Sequence, residues 1–191
     1  MSAEDQLLEA EALRQEGKYT QAIEAYRAVL NIDQENLVAL NGMGLVHVLV
    51  GEQNLAINAF ELAMSIAPYD YRGHSNKAEA YLTIGGFEDA LSAADEGLKL
   101  APENAELWTK RARALESMMR IDEAVDAFNE AIKYDSENPD TWKALALCFD
   151  AQQKWTEVAR AYRIAAGLHE RRGENGDADS CHKFAELAEK S

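Results

Sequence analysis

Residues 37–70 read LVALNGMGLVHVLVGEQNLAINAFELAMSIAPYD, and this stretch is enough to indicate the fold. Apolar residues recur at intervals of three and four on both sides of Gly51, which is the spacing of amphipathic helices. Gly51 lies between the two runs and Pro68 follows the second, so the stretch predicts a helical hairpin with a tight turn. The apolar positions are Leu40, Met43, Gly44, Val46, His47, Ala56, Ile57, Phe60, Ala63 and Met64.

The same pattern recurs along the chain with a period of 34 residues. Gly17 and Gly85 lie one period before and after Gly51, and an alanine recurs at the same interval in the second half of the first four hairpins, with Val158 in the fifth. A fixed period of this length is typical of a stack of similar helical hairpins. The period predicts five gapless repeats: 3–36, 37–70, 71–104, 105–138 and 139–172.

At other positions of the repeat, the residue changes from one repeat to the next but its size stays similar. One position of the first helix is always small, and large apolar residues fill other positions, as expected where knobs on one helix meet gaps on its neighbour. We therefore predict an all-α fold of closely packed helix pairs. The small residues are Ala10, Gly44, Ala78, Ala112 and Ala146, and the large ones include Tyr26, Phe60, Phe128 and Tyr162.

The tail, residues 173–191, follows a different pattern. Residues 173–176 read GENG, which predicts a break in the chain. The apolar residues after it have helical spacing, and Asp177 is a suitable N-cap. We expect a helix over 177–190 that covers the exposed face of the last repeat.

Together these residues resemble the tetratricopeptide repeat. The shared features are Trp108 and Trp142 near the start of their repeats, the small residue four positions later, the turn glycine and the closing proline. The resemblance implies a right-handed superhelical solenoid of antiparallel hairpins with about eleven helices. Met119 and Gln153 replace the turn glycine, so we expect slightly different turns there.

Composition and charge exclude several classes of function. The 191 residues include 34 acidic and 19 basic ones, for a net charge of -15, which argues against nucleic-acid binding. No run approaches the ~18 apolar residues of a membrane helix, and the amino end does not read as a signal peptide. Cys148 and Cys181 are too few for a disulfide framework. We expect a cytoplasmic protein without membrane contact.

Catalytic and metal motifs are absent from the sequence. His47 and His74 occupy positions that hold large residues in other repeats, so we interpret them as packing residues. His169, Cys181 and His182 could approach one another, but their spacing is not that of a zinc site. We therefore predict no catalytic residues, no cofactor and no metal.

The resemblance implies that first helices line a concave groove that binds a peptide or a partner helix. Two questions stay open from the sequence. The apolar strip of the second repeat, formed by Leu45, Val48 and Leu49, either contacts a ligand or is shielded by neighbouring helices. The cations either bind an acidic ligand or pair with nearby carboxylates. The predicted groove residues are Asn41, Leu45, Val48, Leu49, Arg72, Asn76, Lys110, Arg113 and Lys143.

The sequence thus predicts a non-catalytic adaptor that binds a peptide segment or helix of a partner protein, with an acidic segment as one candidate ligand. The alternative is a self-associating scaffold subunit that forms homo-oligomers. Only the fifth repeat holds more basic than acidic residues, so an acidic partner or the acidic amino end of another copy could bind there. The basic residues concerned are Lys154, Arg160, Arg163, Arg171 and Arg172.

Overall fold

The computed structural model describes residues 2–190. These residues form α-helices and contain no strand, which confirms the predicted all-α class. The eleven helices of the described chain are Ala3–Gln15 (α1), Tyr19–Ile32 (α2), Leu37–Leu49 (α3), Gln53–Ile66 (α4), Tyr71–Ile84 (α5), Phe87–Leu100 (α6), Ala105–Ser117 (α7), Ile121–Tyr134 (α8), Pro139–Ala151 (α9), Trp155–Arg171 (α10) and Asn175–Ala188 (α11).

The five odd-numbered helices from α1 to α9 begin at side-chain caps. Ser2, Asn36, Asp70, Asn104 and Asn138 each accept a hydrogen bond from a backbone N–H of the first turn. Such a cap satisfies one of the amide groups that have no partner within the helix. The caps therefore fix where the first helix of each hairpin starts.

The turns inside the hairpins share one backbone geometry. Gly85 has a φ of 79°, and Met119 and Gln153 have φ values of 59° and 58°. The amide after the left-handed residue donates to a carbonyl five residues back, with N···O distances of 2.9 Å for both Arg120 and Lys154. The expectation of different turns at Met119 and Gln153 is wrong, because both residues adopt the left-handed conformation that glycine adopts elsewhere.

The chain forms two compact units, one up to Pro102 and one from Glu103 onward. In the N-terminal unit, α1 to α5 pack around Tyr26 and Phe60, which are both fully buried, and α6 packs on α5 through Ala93 and Ala94 against Ala78. In the C-terminal unit, Phe128 of α8 is fully buried, and small residues of α9, α10 and α11 form a separate buried cluster. The small residues of the first helices let neighbouring helices approach closely. All of them are buried: Ala10, Gly44, Ala78, Ala112 and Ala146.

Helix α11 begins earlier than the sequence predicts. It starts at Asn175 with Glu174 as the cap residue, so Asp177 lies in the first turn and is not the N-cap. Gly173 has a φ of 75°, and the Glu174 amide donates to the His169 carbonyl at 3.0 Å. This is the turn found inside the other hairpins, and it lets a new helix begin at once.

Helix α10 therefore belongs to two hairpins. It has 17 residues, against 14 in each of α2, α4, α6 and α8. Its last turns and α11 repeat the arrangement of α3 and α4, with the sequence HVLVGE around Gly51 matched by HERRGE around Gly173. Helices α10 and α11 thus form an additional hairpin, which shares α10 with the preceding one.

Candidate protein-binding surfaces

In the N-terminal unit, an amide pair links two first helices. Asn76 Nδ2 on α5 donates to Asn41 Oδ1 on α3 at 2.9 Å, and Asn41 Nδ2 donates to the Leu37 carbonyl at 2.8 Å. Both side chains are partly exposed. The structure therefore brings together two of the residues that the sequence assigned to a groove, and it leaves polar amide atoms at a surface.

The apolar strip of α3 is divided between core and surface. Leu45 and Val48 are half-buried and pack against the cluster around Phe60. Leu49 is 55% exposed and Val38 is 48% exposed. The alternative of shielding thus holds for Leu45 and Val48, whereas Leu49 of the strip and the neighbouring Val38 remain accessible on the same helix as Asn41.

Arg72 lies on the first helix of the next hairpin, at the start of α5. Its Nε and Nη2 atoms donate to Asp70 Oδ1 and Oδ2 at 2.9 Å and 2.6 Å, while most of the guanidinium remains exposed. The hydrogen bonds from Arg72 lower the pKa of Asp70 below its ordinary value. Because Asp70 is also the cap of α5, the arginine is held in place at the helix start.

In the C-terminal unit, predicted groove cations pair with carboxylates of their own helices. Lys110 is buried and its ammonium bonds Glu106, and Lys143 Nζ lies 3.1 Å from Asp140 Oδ1. The hydrogen bond to Asp140 raises the pKa of Lys143. Arg113 is exposed on α7. Pairing with nearby carboxylates was the second alternative that the sequence left open, and it describes Lys110 and Lys143.

The two buried histidines close turns. His47 Nδ1 lies 2.7 Å from Glu52 Oε2, and His169 Nδ1 lies 2.6 Å from Glu174 Oε2. The sequence predicted a packing role for His47. It did not reveal the matching role of His169, because the turn glycine that follows it, Gly173, is not separated from Gly51 by a multiple of 34 residues.

Around His169 the structure gathers different residues from those the sequence considered. Possible ligand atoms of His169, Glu174 and Asp177 lie within 4.8 Å of one another. His182 is exposed and its Nε2 lies 2.9 Å from Glu170 Oε1, and Cys181 is buried on α11. His169 bonds Glu174 across its turn, as His47 bonds Glu52. We therefore interpret the cluster as this turn-stabilising pair with one further carboxylate, Asp177, nearby.

Each unit also carries an open groove. In the C-terminal unit a cavity of about 930 Å³, here called the arginine groove, lies between the start of α10 and the end of α11. In the N-terminal unit a cavity of about 330 Å³, here called the acidic groove, lies between α1 and α2. The arginine groove is lined by Trp155, Thr156, Ala159, Arg160, Arg163, Ile164, Ala188 and Glu189, and the acidic groove by Gln6, Glu9, Leu13, Gln21, Glu24, Ala25 and Ala28.

Capped helical hairpins with left-handed turns and small-residue contacts define a helical-repeat protein. Residues 75–132 and 109–173 match the family model described as tetratricopeptide repeat, and residues 10–51 match a model described as TPR repeat. The first model alone covers more than half of the chain, so the chain belongs to the tetratricopeptide repeat family. Proteins of this family generally mediate protein–protein interactions.

Solved structures share the fold at low sequence identity. The chain is similar to TTC0263, a thermophilic TPR protein of Thermus thermophilus, with a TM-score of 0.79, 20% identity and coverage of 97% of this chain and 100% of that one. For MamA the TM-score is 0.74 at 20% identity, with 86% and 96% covered. For YrrB, described as a TPR protein with an unusual peptide-binding site, the TM-score is 0.67 at 17% identity, with 100% and 93% covered. The comparison with curated proteins gave no match.

Among residues 2–190, no helix is both long enough and apolar enough to cross a lipid bilayer.

Proposed function

We propose that this protein is a non-catalytic adaptor that binds a peptide segment or helix of a partner protein on the surface formed by α3 and α5. The observation that carries the proposal is the amide pair of Asn41 and Asn76, which lies on the same helix pair as the exposed Val38 and Leu49 of α3. The family's general role in protein–protein interaction supports it.

The chemistry of this surface suits a peptide. Amide side chains can donate to and accept from a peptide backbone, and apolar positions on either side can bury a ligand side chain. The Asn41–Asn76 bond holds the amides before a ligand arrives, so little side-chain entropy is lost on binding. Arg72 adds an exposed guanidinium, held by Asp70, which suits a ligand carboxylate.

The remaining predicted residues belong to the C-terminal unit and extend the proposal there. Arg113 is exposed, while Lys110 and Lys143 are bonded to Glu106 and Asp140. An acidic ligand would have to compete with these carboxylates, so we assign the main ligand contacts to α3 and α5. We place the protein in the cytoplasm, where its thiols would stay reduced.

The test is peptide selection from a random display library, followed by calorimetry with the selected peptide. Leu49→Asp should abolish binding, and Asn76→Ala should weaken it about tenfold, because one hydrogen bond and its positioning are lost. Leu62→Asp is the matched control, since Leu62 is 48% exposed on α4 and lies outside the proposed surface. Equal loss in Leu49→Asp and Leu62→Asp, or no loss in either, would overturn the assignment.

A further inference from the structure

The two open grooves have opposite electrostatic character. Two of the residues lining the arginine groove are arginines on α10, and two of those lining the acidic groove are glutamates, one on α1 and one on α2. Among residues 2–190, the side chains of Arg160, Glu9 and Glu24 have no hydrogen-bond or ion-pair partner. The arginine groove therefore contains one unpaired cation, Arg160, and the acidic groove contains two unpaired carboxylates.

The acidic groove also contains an unsatisfied buried atom. Gln6 Oε1 is buried and accepts no hydrogen bond. The equivalent positions of later repeats hold larger side chains, namely Leu40, His74, Trp108 and Trp142, so the smaller Gln6 helps to leave the groove open. A buried carbonyl oxygen without a hydrogen-bond donor destabilises the fold. A guanidinium entering this groove could satisfy Gln6 while it neutralises Glu9 and Glu24.

The arginine groove combines charge with an apolar floor. Ala159 and Ala188 are buried, Trp155 and Ile164 are half-buried, and Arg163 bonds Glu189 at the rim. Arg160 stands out against the repeat pattern, because the equivalent positions carry no basic residue. Those positions hold Glu24, Asn58, Ser92 and Asp126. The basic character is therefore specific to α10 and is not a property of second helices in general.

We propose that the arginine groove of one copy of this chain binds the acidic groove of a second copy. Arg160 and Arg163 donate to Glu9, Glu24 and Gln6 Oε1 of the other molecule. In a chain with a net charge of -15, the fifth repeat is the basic one and the first is strongly acidic, so the charges select this pairing. The proposal does not depend on the peptide surface of α3 and α5.

Such a contact joins two different surfaces and is therefore heterologous. Each added copy leaves one arginine groove and one acidic groove unoccupied, so association continues until a ring closes or a filament forms. The contact depends on charge pairs near the surface, so we expect it to weaken as salt is raised.

The experiment compares two groove variants of the whole chain by sedimentation velocity. The first, Arg160→Gln with Arg163→Gln, removes the donors; the second, Glu9→Gln with Glu24→Gln, removes the carboxylates. Each variant alone should self-associate at least about tenfold more weakly than the wild type, since the charged contacts are lost. An equimolar mixture should form a 1:1 dimer that grows no further, because only one intact pair of grooves remains.

Lys99→Gln with Lys133→Gln is the matched control. It removes the same amount of charge as the first variant, from exposed ion pairs with Glu96 and Glu130, and it should associate like the wild type. Circular dichroism of every variant checks that the fold is retained.

Three results would overturn the proposal. The first is a wild type that stays monomeric at low salt, which would leave the arginine groove to an acidic segment of another protein. The second is unchanged association in either groove variant. The third is a mixture of the two variants that shows no dimer.

Discussion

His47 Nδ1 lies 2.7 Å from Glu52 Oε2 across the turn between α3 and α4. The histidine is buried, whereas the glutamate is about half exposed. A surface carboxylate therefore provides the hydrogen-bond partner of a buried imidazole nitrogen. His169 and Glu174 repeat the arrangement between α10 and α11. The recurrence in two hairpins indicates that the pair stabilises the turn.

Removal of Glu52 should therefore destabilise the fold. Glu52→Ala leaves a buried imidazole nitrogen without its partner, and we expect the free energy of unfolding to fall by about 1–2 kcal/mol. Urea denaturation followed by circular dichroism measures the change. Glu103→Ala, at an exposed position, is the control and should be neutral. An unchanged midpoint for Glu52→Ala would show that the pair contributes nothing.

Two helical glycines should respond to alanine in opposite ways. A Cβ at Gly42 would lie 2.5 Å from Cζ of the fully buried Tyr26, whereas a Cβ at Gly167 would meet nothing within 4 Å. Gly42→Ala should cost about 1–3 kcal/mol through overpacking, and Gly167→Ala should gain about 0.5–1 kcal/mol of helix propensity. Melting temperatures of the two variants test the sign directly, and a stabilised Gly42→Ala would contradict the close packing.

The left-handed turn residue Met119 offers a stabilising substitution. Its φ is 59° and its side chain is 76% exposed, so the side chain contributes little packing while the backbone is strained. Met119→Gly should raise the free energy of unfolding by up to about 1 kcal/mol, since relief of strain exceeds the entropy that glycine adds to the unfolded chain. Thermal unfolding is the measurement, and a lowered melting temperature would refute the strain.

Glu11 makes stability depend on pH in the acid range. Burial by itself would raise the pKa of Glu11, but hydrogen bonds from Tyr26 and Arg14 outweigh it and hold the pKa below its usual value of 4.5. A carboxyl with a lowered pKa in the folded state stabilises the fold above its unfolded pKa, and this contribution is lost as pH falls through the folded pKa. Glu11→Gln should therefore be less stable than the wild type at pH 7, with a difference that shrinks below about pH 4. Urea midpoints across this range test the prediction, which a constant difference would refute.

The cysteine thiols should be unreactive in the folded protein. Burial raises the pKa of Cys148 to about 12, and burial also raises the pKa of Cys181. Because the thiolate is the nucleophile, alkylation by iodoacetamide at about pH 8 should be slow for both residues until urea unfolds the chain. Mass spectrometry of the labelled protein gives the result, and rapid labelling of the native chain would mean that these helices open readily.

The 34-residue period is sufficient to predict most of the fold. Spacing, turn glycines and small positions act locally, between neighbours along the chain or one hairpin apart, so one sequence is enough to reveal them. Pro139 at the first position of α9 is an example, since it needs no partner beyond its own helix start.

Packing between helices determines the turn conformations and helix ends that the local sequence pattern does not predict. The turns at Met119 and Gln153 keep the left-handed geometry because packed helices on both sides impose it, although neither residue favours it by itself. The start of α11 and the shared use of α10 depend on how the last hairpin packs, and they fall outside the repeat period.

For the candidate surfaces, too, some features follow from the sequence and others only from the tertiary structure. The sequence establishes which residues are polar or charged and which repeat is basic. The three-dimensional arrangement was needed to show that Asn41 bonds Asn76, that Lys110 is buried against Glu106, and that Arg160 lines an open groove without a partner. Whether a charged side chain is paired or available depends on distances between helices, and a helical period alone does not set those distances.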